Sequence, residues 1–127
     1  MEKIPPESNI YRAIKSKRWK EQKHLAFLLR RVMSDGTPEK ELSVITTAKC
    51  TKEICFAGQN TCFGELLIIA EQIRELGFDV VPRPLENNSY HATIINLPLY
   101  TEETIESAER TARILARHIV AVQERPK

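Results

Sequence analysis

The turn and strand Glu86-Asn87-Asn88-Ser89-Tyr90-His91-Ala92 hold the residue types best suited to chemistry. A strand sends alternate side chains to opposite faces, so His91 shares a side with Thr93 and Ile95, and Tyr90 with Ala92 and Ile94. His91 on a sheet surface is a candidate general acid or base, with Asn87 or Asn88 orienting a substrate. The same residues also have an ordinary structural use, because Asn caps turns and a strand-end His bonds a nearby carbonyl.

The three cysteines, Cys50, Cys55 and Cys62, are spaced C-x4-C-x6-C, with no C-x-x-C pair and no adjacent His. A tetrahedral metal would need a fourth ligand from far away, such as His91, so no metal site is expected. An odd number of cysteines at this spacing does not make a disulfide framework, which points to a reducing, cytoplasmic setting. The chain also lacks a Gly-rich phosphate loop, a nucleophile elbow and a His-Glu-x-x-His pair. No cofactor is expected.

A third group is basic. Residues 1–34 carry nine Lys and Arg against three Glu, while the remainder holds ten basic and fourteen acidic residues. Within this stretch Lys15, Lys17, Arg18 and Lys20 are the candidate phosphate contacts, and Tyr11 or Trp19 could stack on a base. No helix-turn-helix, zinc-finger or RNA-recognition signature accompanies them. Net charge is only +2. Nucleic-acid binding through residues 12–31 is therefore expected to be weak.

Several short elements occur in order: Ile10-Tyr11-Arg12, Ala26-Phe27, Leu42-Ser43-Val44 and Asn88-x-x-His91-Ala92-x-Ile94. Together they resemble a set of small uncharacterised bacterial proteins with Arg, Ala-Phe, Leu-Ser-Val and Asn-Pro-x-His-Ala elements. Ser89 stands where that set carries Pro. The resemblance implies no activity. It implies that Arg12, Ser43 and His91 meet in space, with Asn88 beside them, a combination suited to an anion or nucleotide.

These residues must be positioned by regular elements. Pro5-Pro6 makes residues 1–9 an extended leader, and residues 10–127 a single α+β domain. Asp35-Gly36 is a strong turn signal, so the spacing predicts a hairpin of about 25–33 with 42–47. Residues 48–62 read as a loop. Leu66, Ile69, Ala70 and Ile73 form a helical stripe, predicting a helix over 64–77 closed by Gly77. Strands follow at Phe78–Val81 and His91–Ile95. The line Ile105, Ala108, Ala112, Leu115, Ile119, Val122 predicts a second helix over 101–123, starting near Thr101. The expected fold is a mostly antiparallel sheet of about four strands with two amphipathic helices on one face. Its expected core is Phe27, Leu29, Val44, Leu66, Ile69, Ile73, Phe78, Val80, Ile94, Ile105, Ala108, Ala112, Leu115 and Ile119.

The chain of 127 residues is 42% hydrophobic and 28% charged, enough to bury one core. No apolar run reaches the ~20 residues of a membrane span. The leading functional expectation is a non-enzymatic accessory or interaction module that binds a protein partner, or a second copy of itself, in a bacterial system. The alternatives are a small enzyme or anion-binding domain centred on His91, with Arg12 and Ser43, and weak nucleic-acid binding.

Overall fold

The computed structural model describes residues 3–14, 16–29, 34–47, 64–86 and 89–124. Six strands form one antiparallel sheet: β1 (Asn9–Ala13), β2 (Leu42–Ile45), β3 (Gly64–Ile69), β4 (Asp79–Pro82), β5 (His91–Ile95) and β6 (Ala121–Glu124). Their order across the sheet is β4-β5-β2-β1-β3-β6. The helices are α1 (Lys17–Glu21), a 3-10 turn (Lys23–Phe27), α2 (Ala70–Glu75) and α3 (Ile105–Arg117). The fold is α+β as expected, but the sheet has six strands rather than about four.

Three strands, β1, β3 and β6, stand where none was expected, and two of them, β3 and β6, come from stretches expected to be helical. Residues 64–69 form β3, between β1 and β6, and only 70–75 continue as helix. Leu66, Leu67 and Ile68 are buried although they alternate between the two faces, so the apolar run shows no strand-like alternation. Residues 105–117 form α3, but His118 ends it, and the β-branched Val120 and Val122 carry the chain into β6. The hairpin of 25–33 with 42–47 is also corrected. Residues 23–27 are a 3-10 turn with Leu25, Ala26 and Phe27 buried, and β2 pairs with β1 and β5 instead. The single apolar cluster Leu25–Leu29 fits a buried turn as well as it fits a strand.

One core lies between the sheet and its helices. Ile10, Leu42, Val44, Leu66, Ile68, Val80, Ala92 and Ile94 meet Ala70, Ile73, Ala108, Ala112 and Leu115 there. By register these strand residues share one face, which we call the helix side. The last helix places its line as expected from Ala108 to Leu115, while Ile105 is exposed and Ile119 and Phe78 are only partly buried. Gly77 closes α2 at φ +97° and donates its N–H to the Arg74 carbonyl at 3.0 Å. Positive φ costs glycine little because it has no Cβ.

The stretch before β1 is fastened to the domain. Ile4 is buried in the core, and the Ser8 and Pro6 carbonyls accept the first α2 amides, from Ala70 and Glu71, at 3.0 and 2.8 Å. Those amides have no partner within the helix.

Candidate functional site

Arg12 is the residue whose placement departs most from a ligand role. Alternation along β1 sets it on the helix side with Ile10 and Ile14, and it is 8% exposed. Its Nε donates to the Ala26 carbonyl at 2.8 Å and its Nη1 to the Ser43 carbonyl at 2.9 Å. Its guanidinium lies 5.3 Å from the Trp19 ring centroid, and Trp19 packs on the core. Arg12 therefore ties the 3-10 turn and β2 to β1. Trp19 is a packing surface for that cation.

Arg12 and Ser43 do meet, but through the Ser43 backbone. The Ser43 side chain belongs to the opposite face, across from Thr93, because Val44 and Leu42 take the helix side. His91 is opposite Ile45 on that same face. The three side chains thus do not share one surface. Asn88 and Lys15 lie outside the described residues. Lys17 and Arg18 are exposed on α1 and Lys20 is half-buried, with Glu21 completing the same short helix.

His91 is held by a contact that its own strand does not supply. Its Nδ1 lies 2.9 Å from the Arg83 carbonyl oxygen. A carbonyl only accepts, so Nδ1 carries the proton, and in the neutral ring Nε2 presents the lone pair. A groove of about 360 Å³ at this end of the sheet is lined by Lys3, Ser8, Thr46, Ser89, Tyr90 and His91, among others.

The face that carries Ser43 and His91 holds a second polar group that the sequence reading did not single out. Thr93 Oγ1 donates to Glu41 Oε1 at 2.7 Å, and Arg83 Nε reaches the same oxygen at 3.2 Å. The Thr93 hydroxyl and then Arg83 hold the Glu41 carboxyl below its ordinary range. Glu41 also lines a groove of about 560 Å³ with Asp35, Thr37, Lys40 and Ser43. Only the strand register joins positions 41, 83 and 93, and no local motif announces them. Among the described residues, no cluster of three His, Cys, Asp or Glu side chains is placed to hold a metal. The three cysteines lie outside those residues.

The two edges of the sheet differ sharply. In an antiparallel ladder the N–H and C=O of one residue turn to the same neighbour, and consecutive residues alternate. Arg83 N–H donates to the His91 carbonyl at 3.0 Å, in step with Val81 opposite Thr93, so Val80 and Pro82 turn outward from β4. Every outward group there is filled. Val80 N–H donates to Asp79 Oδ1 at 2.8 Å and Val80 C=O accepts from Arg74 Nη2 at 3.2 Å. Pro82 has no N–H, and its carbonyl accepts from Arg83 Nη1 at 3.2 Å.

At the other edge the same reasoning leaves groups open. Ile14 N–H donates to Gly64 C=O at 2.9 Å, so residues 64, 66 and 68 turn to β1, and Glu65 and Leu67 turn to β6. Their partners are Gln123 and Ala121, which leaves the N–H and C=O of Val122 facing outward. No described residue bonds them. The Val122 side chain is 37% exposed and Val120 58% exposed. Proteins commonly blunt such edges. Among the described residues, β4 is blunted and β6 is not.

The guard on β4 titrates. Arg74 Nε donates to Asp79 Oδ1 at 2.8 Å, and chiefly that bond keeps the Asp79 carboxyl below its ordinary range. A carboxyl whose folded value is depressed adds stability above its unfolded value, near 4, and that stability disappears as pH falls through both values. Urea midpoints should therefore fall between pH 5 and pH 3 by more in the wild type than in Asp79→Asn. Equal falls would remove Asp79 from the account.

The chain was compared with protein-family models, curated proteins and solved structures, and it matches none of them. Among the described residues, no helix is long and apolar enough to cross a membrane.

Proposed function

We propose that this protein is a non-enzymatic interaction module that holds an extended segment of a protein partner along the outer edge of β6. The observation that supports this reading is the contrast between the edges. Val122 offers an outward N–H and C=O beside exposed apolar side chains, whereas the three outward groups of β4 are filled and Pro82 has no N–H to offer. An added strand takes its affinity from such main-chain groups and its specificity from alternate side chains. The placement of Arg12 supports the reading in a second way. The Arg12 guanidinium is committed inside the domain, so His91 has no cation from β1 beside it.

The test uses Val122→Pro, which removes one outward donor and no bond to β3. Wild type and variant capture partners side by side from the host lysate. Each captured protein is then purified and titrated against both, with His91→Ala as control. The expected result is a partner that binds wild type and His91→Ala alike and is weakened about tenfold or more by Val122→Pro, the scale of a lost main-chain hydrogen bond with its packing. A partner lost with His91→Ala and kept with Val122→Pro would favour the face that carries His91 instead.

A further inference from the structure

We propose that the groove between residues 3–8 and the adjoining end of the sheet binds a small carboxylate with a flat apolar body, its carboxyl group paired with the Lys3 ammonium. The groove borders β2, β4 and β5, across the sheet from β6, and its role does not depend on strand addition.

Both walls of the groove are fixed by backbone bonds. On one side, Ser8 N–H donates to the Pro5 carbonyl at 3.1 Å, and the Pro6 and Ser8 carbonyls accept the α2 amides. Ile4, beside Lys3, anchors the same stretch in the core. On the other side, Thr46 N–H and Thr46 Oγ1 both donate to the Tyr90 carbonyl, at 3.1 and 3.2 Å. The His91 carbonyl turns to Arg83, so Tyr90 and Ala92 turn theirs to β2, and the β2–β5 ladder runs on to Thr46. The space between the walls is about 360 Å³, within the ~300–1,000 Å³ usual for small-ligand sites.

The lining sets the chemistry of the ligand. Pro82 and Ala92 are opposite each other on the helix side, and Ile4 and Pro5 border the same space, so much of its lining is apolar. Tyr90 shares the side of Ala92 by alternation and is 53% exposed, and its ring suits a flat partner. Lys3, Ser8 and Ser89 supply the polar rim. Among the described residues that line the groove, Lys3 is the one Lys or Arg, and no Asp or Glu joins it. The Asp79 carboxyl senses Lys3 less than it senses Arg74, its own hydrogen-bond partner. One ammonium matches one negative charge, and serine hydroxyls can donate to the other carboxylate lone pairs. A phosphate dianion would bring a second charge with no second Lys or Arg in the lining to meet it. His91 also borders the groove, with Nδ1 committed to the Arg83 carbonyl.

The probe is sodium benzoate, titrated into the isotope-labelled full chain and followed by the backbone amide resonances. The expected result is that the Ser8, Thr46 and Tyr90 amides move along one saturating curve while Ala121 and Val122 stay in place. Benzamide has the same shape without the charge and should bind about threefold to fivefold more weakly, the scale of an exposed ion pair. Lys3 is exposed, so Lys3→Gln leaves the core intact. That variant should weaken benzoate by the same factor and leave benzamide unchanged. Acetate should bind about tenfold more weakly than benzoate, because it leaves the apolar lining uncovered. Equal binding of benzoate and benzamide, or benzoate binding untouched by Lys3→Gln, would overturn the pairing of Lys3 with a carboxylate. Acetate binding as tightly as benzoate would overturn the apolar body. No saturating movement with tens of millimolar benzoate, or movement confined to other amides, would overturn the site and leave strand addition at β6 standing.

Discussion

Replacing Arg12 by alanine is expected to destabilise the fold by about 2–6 kcal/mol, the range for leaving two buried polar groups without their donors. The Ala26 and Ser43 carbonyls would each lose a charge-assisted donor now at 2.8 and 2.9 Å. Each carbonyl left without a donor costs about 1–3 kcal/mol. The space between Trp19, the 3-10 turn and β1 would also be left partly empty. Arg12→Lys should recover less than half of the loss, because one ammonium cannot place two donors in a fork. Urea unfolding monitored by far-ultraviolet circular dichroism reads both values. A cost below about 1 kcal/mol would show that the guanidinium does not join β1, β2 and the 3-10 turn.

The second large effect belongs to α3. Leu115 is fully buried on the helix stripe with Ala108 and Ala112, packed in the same core as Ile10, Leu66 and Ile94. Truncation to alanine is expected to cost about 2–5 kcal/mol, from lost transfer free energy and the cavity left behind. The exposed Ile105→Ala on the same helix should cost well under about 1 kcal/mol. Parallel urea titrations of the two variants check the contrast. Similar costs would mean that α3 does not face the sheet through its 108–115 line.

Some of this structure was legible in the residues. The Ala108, Ala112, Leu115 spacing, the β-branched runs of β2 and β5, the Asp35-Gly36 turn and the Gly77 helix end each carry a local signal that their positions confirm. β3 was not legible, because Leu66, Leu67 and Ile68 are buried on both faces and a continuous apolar run fits helix and strand equally. β6 was hidden by Ile119 and Val122, which continue the α3 stripe by spacing although the helix ends at Arg117. Only tertiary pairing with β3 sets that boundary.

The chemistry was harder to read than the fold. His91 stood out by type, but the Arg83 carbonyl that orients it is eight residues away across the β4–β5 connection. Arg12 and Trp19 looked like a nucleic-acid surface because both types suit one, yet strand alternation turns Arg12 inward onto the indole. Glu41 and Thr93 are 52 positions apart and meet only through register. Edge status was beyond local reading altogether. Which strand ends a sheet depends on the order of all six, and the guards on β4 come from Arg74 and Asp79 on either side of the Gly77 turn.

The openness of β6 is the centre of this account, and amide hydrogen exchange measures it directly. In the free protein the Val122 N–H should exchange orders of magnitude faster than those of Ala121 and Gln123, which are bonded to β3. The Val80 N–H, equally at an edge but bonded to Asp79 Oδ1 at 2.8 Å, should be protected. Adding a partner that binds the wild type should slow Val122 and leave Val80 unchanged. If Val122 is as protected as Gln123 in the free protein, its outward groups are already bonded and the edge is not available to a partner strand.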